Sequence, residues 1–484
     1  MINRLHFSAD RFVSASLHCS MSDSIPKEKQ HLRLRDTVSI IVGIVIGVGV
    51  YETAPFIFMN LSGPWTAMGA WALGGVLSLI GALCYAELAS AYPRSGGDYN
   101  YLSRAYGSWA GYLFGWMQIV IIATGSIGMM AFVFANYAGV LWGIGPEHGV
   151  WLAVAVVAVL SLTNIVGAFV GKWAQNILTL LKVVGLVAVI GVGILYAAPG
   201  PWVAPDFVAG SGSFGLAMIL ILYTYGGWND AALVAAEQSD RRRNIPRALI
   251  LGTVLITVLY LLINAAYILA LGFEGARASR SIAADVLARP FGDWGGRIMA
   301  LMVVISALGA INGQIYTSAR IHTRLGEDFK PFRWLAHWSA KGASPVHALI
   351  VQAAVTLALI ILVGTNVGRG MLNFGLELIG FGALDWYGYG GFDTLLRCSA
   401  PFFWLFFLMT GVALFVLRFR DRDHDRPFRV PLYPVTPLIF CGTALYMLYS
   451  STTYAGVLTL VGGIPLFIGV ILYLLFIRKR TNPL

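Results

Sequence analysis

Three glycines, Gly43, Gly47 and Gly49, interrupt the apolar run GIVIGVGVYETAP at residues 43–55, and a carboxylate, Glu52, follows them. A second interruption, YTYGGWND at 223–230, sets Gly226 and Gly227 among Tyr223, Thr224, Tyr225, Trp228, Asn229 and Asp230. Neither stretch pairs a nucleophile with a base, cradles a nucleotide or spaces metal ligands, so an enzyme is not what they suggest and no cofactor is expected. They suggest recognition by the backbone. Where a helix unwinds in hydrocarbon, each freed N–H or C=O costs several kcal/mol unless it is wet, buried or bound. Glycine permits the backbone angles and lets a ligand come close. The half-helix after a break aims its positive N-terminal end at the gap and favours a carboxylate, while carbonyls ending the half-helix before it suit an ammonium. A zwitterion fits that pairing. Glycines in membrane helices are also ordinary close-packing points, and it is the second interruption that weighs toward a site.

The elements that must position these breaks follow from composition. Hydrophobic residues make up 58% of the 484-residue chain and charged ones 12%, too apolar a balance for a soluble protein. Twelve stretches reach the roughly 20 residues that span a bilayer, and none shows the alternation of a membrane barrel. The first break falls in the first stretch (37–59) and the second in the sixth (213–237), corresponding members of two five-helix halves. Paired interruptions of this kind point to an inverted-repeat transporter with its site where both helices unwind. The expected fold is all-α and integral to the membrane, with twelve transmembrane helices, a five-plus-five inverted repeat, and helices 1 and 6 broken. Residues 1–36 are expected to be a cytoplasmic tail, 37–417 the transport core of spans 1 to 10, and 418–484 spans 11 and 12 with a short cytoplasmic C-terminus.

The net charge of +10 follows this topology and does not call for nucleic acid. Arg241, Arg242, Arg243 and Arg247, then Arg418, Arg420, Arg422, Arg426 and Arg429, fall with most other basic residues on one side. That asymmetry puts both termini in the cytoplasm and the chain in a cytoplasmic membrane. The four cysteines, Cys19, Cys84, Cys398 and Cys441, are scattered and imply no disulfide framework.

Two charges sit inside spans. An acid there usually faces a cavity, and Glu52 has three readings: a partner for a substrate ammonium, a titrating group in proton coupling, or one end of a polar bridge. Lys182 in TLLKVVGLVAV would cost roughly 2.5–3.5 kcal/mol if unsatisfied; it either snorkels to the membrane edge or serves a site. Ser306, Asn312 and Thr317 on the eighth span either face Lys182 and the first break or bond between helices.

Together IIVGIVIGVGV (40–50), WALGGVLSLIGALCYAELASAYPRSGGDYNYL (71–102), YTYGGWNDAALVAAE (223–237), RRRNIPRALI (241–250), INGQIYTSARI (311–321) and RPFRVPLYPVTPLI (426–439) carry a resemblance. The chain resembles the amino acid/polyamine/organocation superfamily of transporters, most closely its L-type amino acid transporter branch. The resemblance implies alternating access in a secondary transporter of amino acids, by exchange or proton coupling. It assigns the substrate carboxylate to the backbone at Gly47, Val48 and Gly49. Tyr223 becomes the aromatic gate, Thr224, Tyr225, Gly226 and Gly227 line the site, and Asn229 supports it. Lys182 resembles a lysine that stands in place of a sodium ion in some proton-coupled relatives.

Two positions depart from that pattern: Val48 stands where the branch usually has a serine, and Glu52 where an apolar residue is usual. A polyamine or organocation carrier built on Glu52 is therefore the alternative. A non-transporting nutrient sensor is the rival class, for which the short RKRTNPL after Ile477 offers no signalling domain. Asp98 in SGGDYNYL is expected either to pair with Arg94 at the surface or to act in a gate, and residues 364–392 to form a long outer loop. In animal members of the branch a cysteine between spans three and four links a heavy subunit. Here residues 139–150 hold none, and no such partner is expected.

Overall fold

The computed structural model describes residues 32–94, 96–200, 202, 214–339, 344–378, 380–386 and 389–477. The expected tail is thus described only from residue 32, and the basic end after Ile477 lies outside the described residues. Among these residues there is no β-strand; a lone parallel bridge joins Leu32 to Gln238.

The chain opens with α1 (Leu34–Val45) and α2 (Gly49–Met59), followed by α3 (Pro64–Ala91), which proline begins at a position where no N–H is needed. Next come α4 (Asp98–Tyr106), α5 (Ser108–Met117), a π-helical turn at Gln118–Ile122, and α6 (Ala123–Trp142). Helices α7 (Gly149–Val166), α8 (Ala168–Leu195) and α9 (Phe214–Thr224) lead to a 3-10 segment, Trp228–Glu237. Beyond it run α10 (Arg241–Ala278), α11 (Ile282–Phe291), α12 (Trp294–Asp328) and α13 (Val346–Gly364). Last are α14 (Asn366–Leu378), α15 (Gly391–Arg420), α16 (Val435–Ala455) and α17 (Leu458–Leu472).

Nine helical runs among the described residues are long and apolar enough to cross a membrane, ten if α1 and α2 make one bent span. Two expected spans fall outside that number. The helical part of the sixth, α9, has only 11 residues, and α16 dilutes its apolar run with Ser450, Ser451, Thr452 and Thr453. Residues 364–392, expected as a loop, contain α14, whose Asn373 brackets Leu384 and Trp386 through its amide.

Packing separates a polar-lined interior from an apolar exterior. Large aliphatic side chains stand exposed on α7 (Val159, Leu162, Val166) and α8 (Leu180, Val184, Val187), and Trp65, Trp142, Trp151, Trp173 and Trp294 are exposed near helix ends. Lipid is the solvent that makes such a surface stable, with indoles at its interfaces. Inside, α3 lies against the second break and α10 through small residues: a side-chain carbon at Gly74 would come within 3.2 Å of the Tyr225 ring, and one at Gly75 within 2.7 Å of Thr257 Oγ1. The ends of the bundle are tied by buried ions. Arg320 on α12 donates to Glu237 Oε1 at 2.6 Å, and the Tyr316 hydroxyl to Glu237 Oε2 at 2.9 Å. Glu87 on α3 accepts from Arg418 on α15 at 2.5 and 2.7 Å.

Candidate functional site

The first interruption is a true break. Ile46 leaves the helical region at ψ 78°, Gly47 N–H bonds back to Val45 O at 2.7 Å, and α2 departs from α1 at 49°. The second spans Tyr225–Gly227, where Gly227 adopts φ +108°, a conformation costly to any residue with a side chain. The two breaks are bolted together by a single hydroxyl: Tyr260 on α10 donates to Val45 O at 2.8 Å and to Thr224 O at 3.2 Å. Thr53 and Thr224 add a contact of 3.0 Å between their hydroxyls. Freed carbonyls thus find partners, as backbone in hydrocarbon must.

Between the breaks lies a cavity of about 200 Å³. Gly47, Val48 and Gly49 line it from one side, and Tyr223, Thr224, Gly226, Gly227 and Asn229 from the other. Eight of the nine residues expected to bind substrate therefore meet at one space. Tyr225 is the ninth and does not line it; buried at 1% exposure, it donates to Trp71 O at 3.1 Å and packs against Trp71 and Tyr260. The Tyr223 hydroxyl approaches Met129 Sδ at 4.0 Å.

The four further candidates separate. Lys182 does not snorkel: it is 2% exposed, and Nζ donates to Gly43 O and, at 3.0 Å, to Ile46 O. Ser306 donates to the same Ile46 oxygen at 2.9 Å, so both hold the first break from behind rather than facing the cavity. Asn312 is an interhelical bonder, donating to Gly171 O at 3.1 Å and Gln175 Oε1 at 3.0 Å while accepting from Asn164 at 2.9 Å. Glu52 is exposed, accepts the Tyr137 hydroxyl of α6 and does not line the cavity, which is the polar-bridge arrangement.

Other residues line the cavity without having been expected there. Gln118 sits on the π-helical turn; a polar residue inside the third span was the available signal, and such turns frequently mark functional sites. Phe403 and Trp404 of α15 supply an aromatic wall. Asp98 is 4% exposed, lines the cavity and accepts hydrogen bonds from the Tyr85 hydroxyl and, at 2.8 Å, from Thr410. Its hydrogen bonds run to those hydroxyls and not to Arg94, because Gly96 N–H docks on Leu233 O at 2.9 Å and draws the start of α4 inward. Among the described residues no group of His, Cys, Asp or Glu has the arrangement to hold a metal ion.

Comparison with known proteins adds the lineage. A family model described as "Amino acid permease" matches residues 32–477. The serine/threonine exchanger SteT of Bacillus subtilis is 28% identical over 454 residues, covering 91% of this chain and 97% of that protein. The b(0,+)-type amino acid transporter 1 of Mus musculus is 28% identical, covering 87% and 82% respectively. The large neutral amino acids transporter small subunit 2 of the same organism is 29% identical, covering 91% and 81%.

Proposed function

We propose, for a chain that belongs to the amino acid permease family and is a membrane transporter rather than an enzyme, that it exchanges amino acids across the membrane by alternating access at its two helix breaks. The observation that carries this reading is the shared cavity: Gly47–Gly49 and Gly226–Gly227 line one space, with Tyr260 tying the break edges together. Backbone amides opening α2 receive the substrate carboxylate. Carbonyls that end the half-helices receive the ammonium, and Tyr223 closes over both. The fold behind this is the twelve-span, five-plus-five inverted repeat, with the first and sixth spans broken and both termini in the cytoplasm of a cell-surface membrane. Exchange is favoured because the B. subtilis relative bears that name.

Proton coupling is the second reading, and Lys182 favours it: a lysine fixed on Gly43 and Ile46 oxygens sits where losing a proton would loosen the first break and regaining it would restore it. Because residues 139–150 hold no cysteine, no disulfide to a partner subunit forms in that loop.

The test is uptake into proteoliposomes. Exchange predicts that labelled serine or leucine enters fast only when the lumen is preloaded with unlabelled amino acid. Equal uptake into empty vesicles, driven by an imposed pH gradient, would replace exchange with proton symport.

A further inference from the structure

The cavity also carries two carboxylates that the zwitterion site does not use. Asp98, the first residue of α4, and Asp230, three residues past Gly227, both line it. They are brought together because Gly96 N–H bonds Leu233 O at 2.9 Å, seating the start of α4 on the 3-10 segment that contains Asp230. Both accept hydrogen bonds from hydroxyls: Tyr85 and Thr410 for Asp98, and Thr317, at 3.4 Å, for Asp230. Among the described residues no lysine, arginine or histidine lines the cavity, and neither acid has an ion-pair partner.

A second observation points the same way. Asn229 lines the same cavity at 5% exposure, and among the described residues its Oδ1 accepts no hydrogen bond, nor does Oε1 of Gln314, also on the lining. Two carboxylates and two amide oxygens make a set that only accepts. Two ionised acids on one cavity without a cation repel one another and lose hydration, and a buried oxygen without a donor costs about 1–3 kcal/mol. An ammonium in this cavity supplies the charge and the donors that they lack.

We propose that Asp98 and Asp230 form a subsite for a positively charged amino group on the substrate's side chain, so that the preferred substrate is an amino acid bearing a terminal amine. The proposal rests on the reading that the zwitterionic end of the substrate sits at the helix breaks. With its carboxylate at Gly47–Gly49, the side chain runs into the remainder of the cavity toward Asp98. Glu52, off the cavity, takes no part.

The test compares ornithine with its uncharged isostere norleucine, measuring competition against labelled-substrate exchange in proteoliposomes. The wild-type protein is expected to prefer ornithine at least tenfold. In Asp230→Asn that preference falls tenfold or more. Asp98→Asn gives the same loss, while Glu274→Gln, at an exposed site on α10, leaves the ratio as in the wild type. A folded Asp230→Asn protein that keeps the wild-type ratio would overturn the subsite, as would wild-type preference for norleucine. If only the pH dependence of exchange moves in Asp230→Asn, the acids hold a proton and the subsite fails while the exchange reading stands. If neither amino acid competes in the wild type, the site at the breaks itself is wrong and the subsite falls with it.

Discussion

The ammonium of Lys182 lies 3.0 Å from the backbone oxygen of Ile46, the residue that follows α1. Together with Ser306 at 2.9 Å and the second Lys182 bond to Gly43, it makes α8 and α12 the scaffold that holds the first break open. A charged donor in such a place contributes about 1.5–3 kcal/mol, a neutral hydroxyl about 1. Lys182→Met should therefore lower apparent stability more than Ser306→Ala and cut exchange at least tenfold. Thermal unfolding and proteoliposome uptake on both variants check this; equal, small losses would mean that Lys182 is packing only.

Tyr260→Phe removes one oxygen atom and both of its backbone partners' donor, at Val45 and Thr224. The ring stays among Trp71 and Tyr225, so the protein should still purify as a folded species. Loss of about 1–3 kcal/mol from unsatisfied carbonyls is expected, with weaker substrate binding measured by ligand-induced thermal shift. Unchanged binding would show that the two breaks are positioned without that link.

Gly227 has φ +108°, and a side-chain carbon there would approach Ile44 Cγ2 to 2.8 Å. Gly227→Ala should cost about 1–3 kcal/mol in strain and abolish binding by pushing the two breaks apart. Gly292, at φ +54° after α11, has open space around it. Gly292→Ala, strained but remote from the cavity, should bind substrate normally. Similar binding in both alanine variants would contradict a special role for the second break.

Asp421, just beyond α15, accepts from Arg104 at 2.6 Å and from the Tyr92 hydroxyl at 3.0 Å. Partial burial works to raise its pKa, but these hydrogen bonds outweigh it and hold the carboxyl below its ordinary value of 3.8. A depressed carboxyl contributes stability that is present above the unfolded-state pKa and disappears as pH falls through the folded one. The melting-temperature gap between wild type and Asp421→Asn should accordingly be full near about pH 6 and shrink toward about pH 3. A gap independent of pH would remove the ionised carboxylate from the explanation.

Sequence carried the breaks because their signal is local: glycines clustered with polar residues in two corresponding apolar runs mark more than close packing, and Gly47, Gly49 and Gly227 do line one cavity. It marks Lys182 as a charge inside a span but leaves open whether it snorkels or serves a site, because its acceptors, two carbonyls at the first break, leave no mark on composition. What it missed depends on helix rotation. Tyr225 differs from Tyr223 by two positions yet turns to Trp71, and choosing among the three readings of Glu52, of which the polar bridge to Tyr137 holds, likewise requires its rotation. For Asp98 a polar loop allows both a surface pair and a gate; only the docking of Gly96 on Leu233 brings it to the cavity. The shortened α9 and the helical α14 likewise follow from where neighbours compensate unwound or capped backbone, which a hydropathy pattern does not record.

The most direct measurement is thermal stabilisation of the purified protein by leucine, by its methyl ester and by N-acetyl-leucine, since a ligand that binds the folded state raises apparent stability by mass action. A site made of helix-end amides and carbonyls at the two breaks predicts a shift with leucine and loss of that shift when either the carboxylate or the amine is masked. Equal stabilisation by all three compounds would contradict it, placing the recognition in the apolar wall of the cavity instead of in the broken backbone.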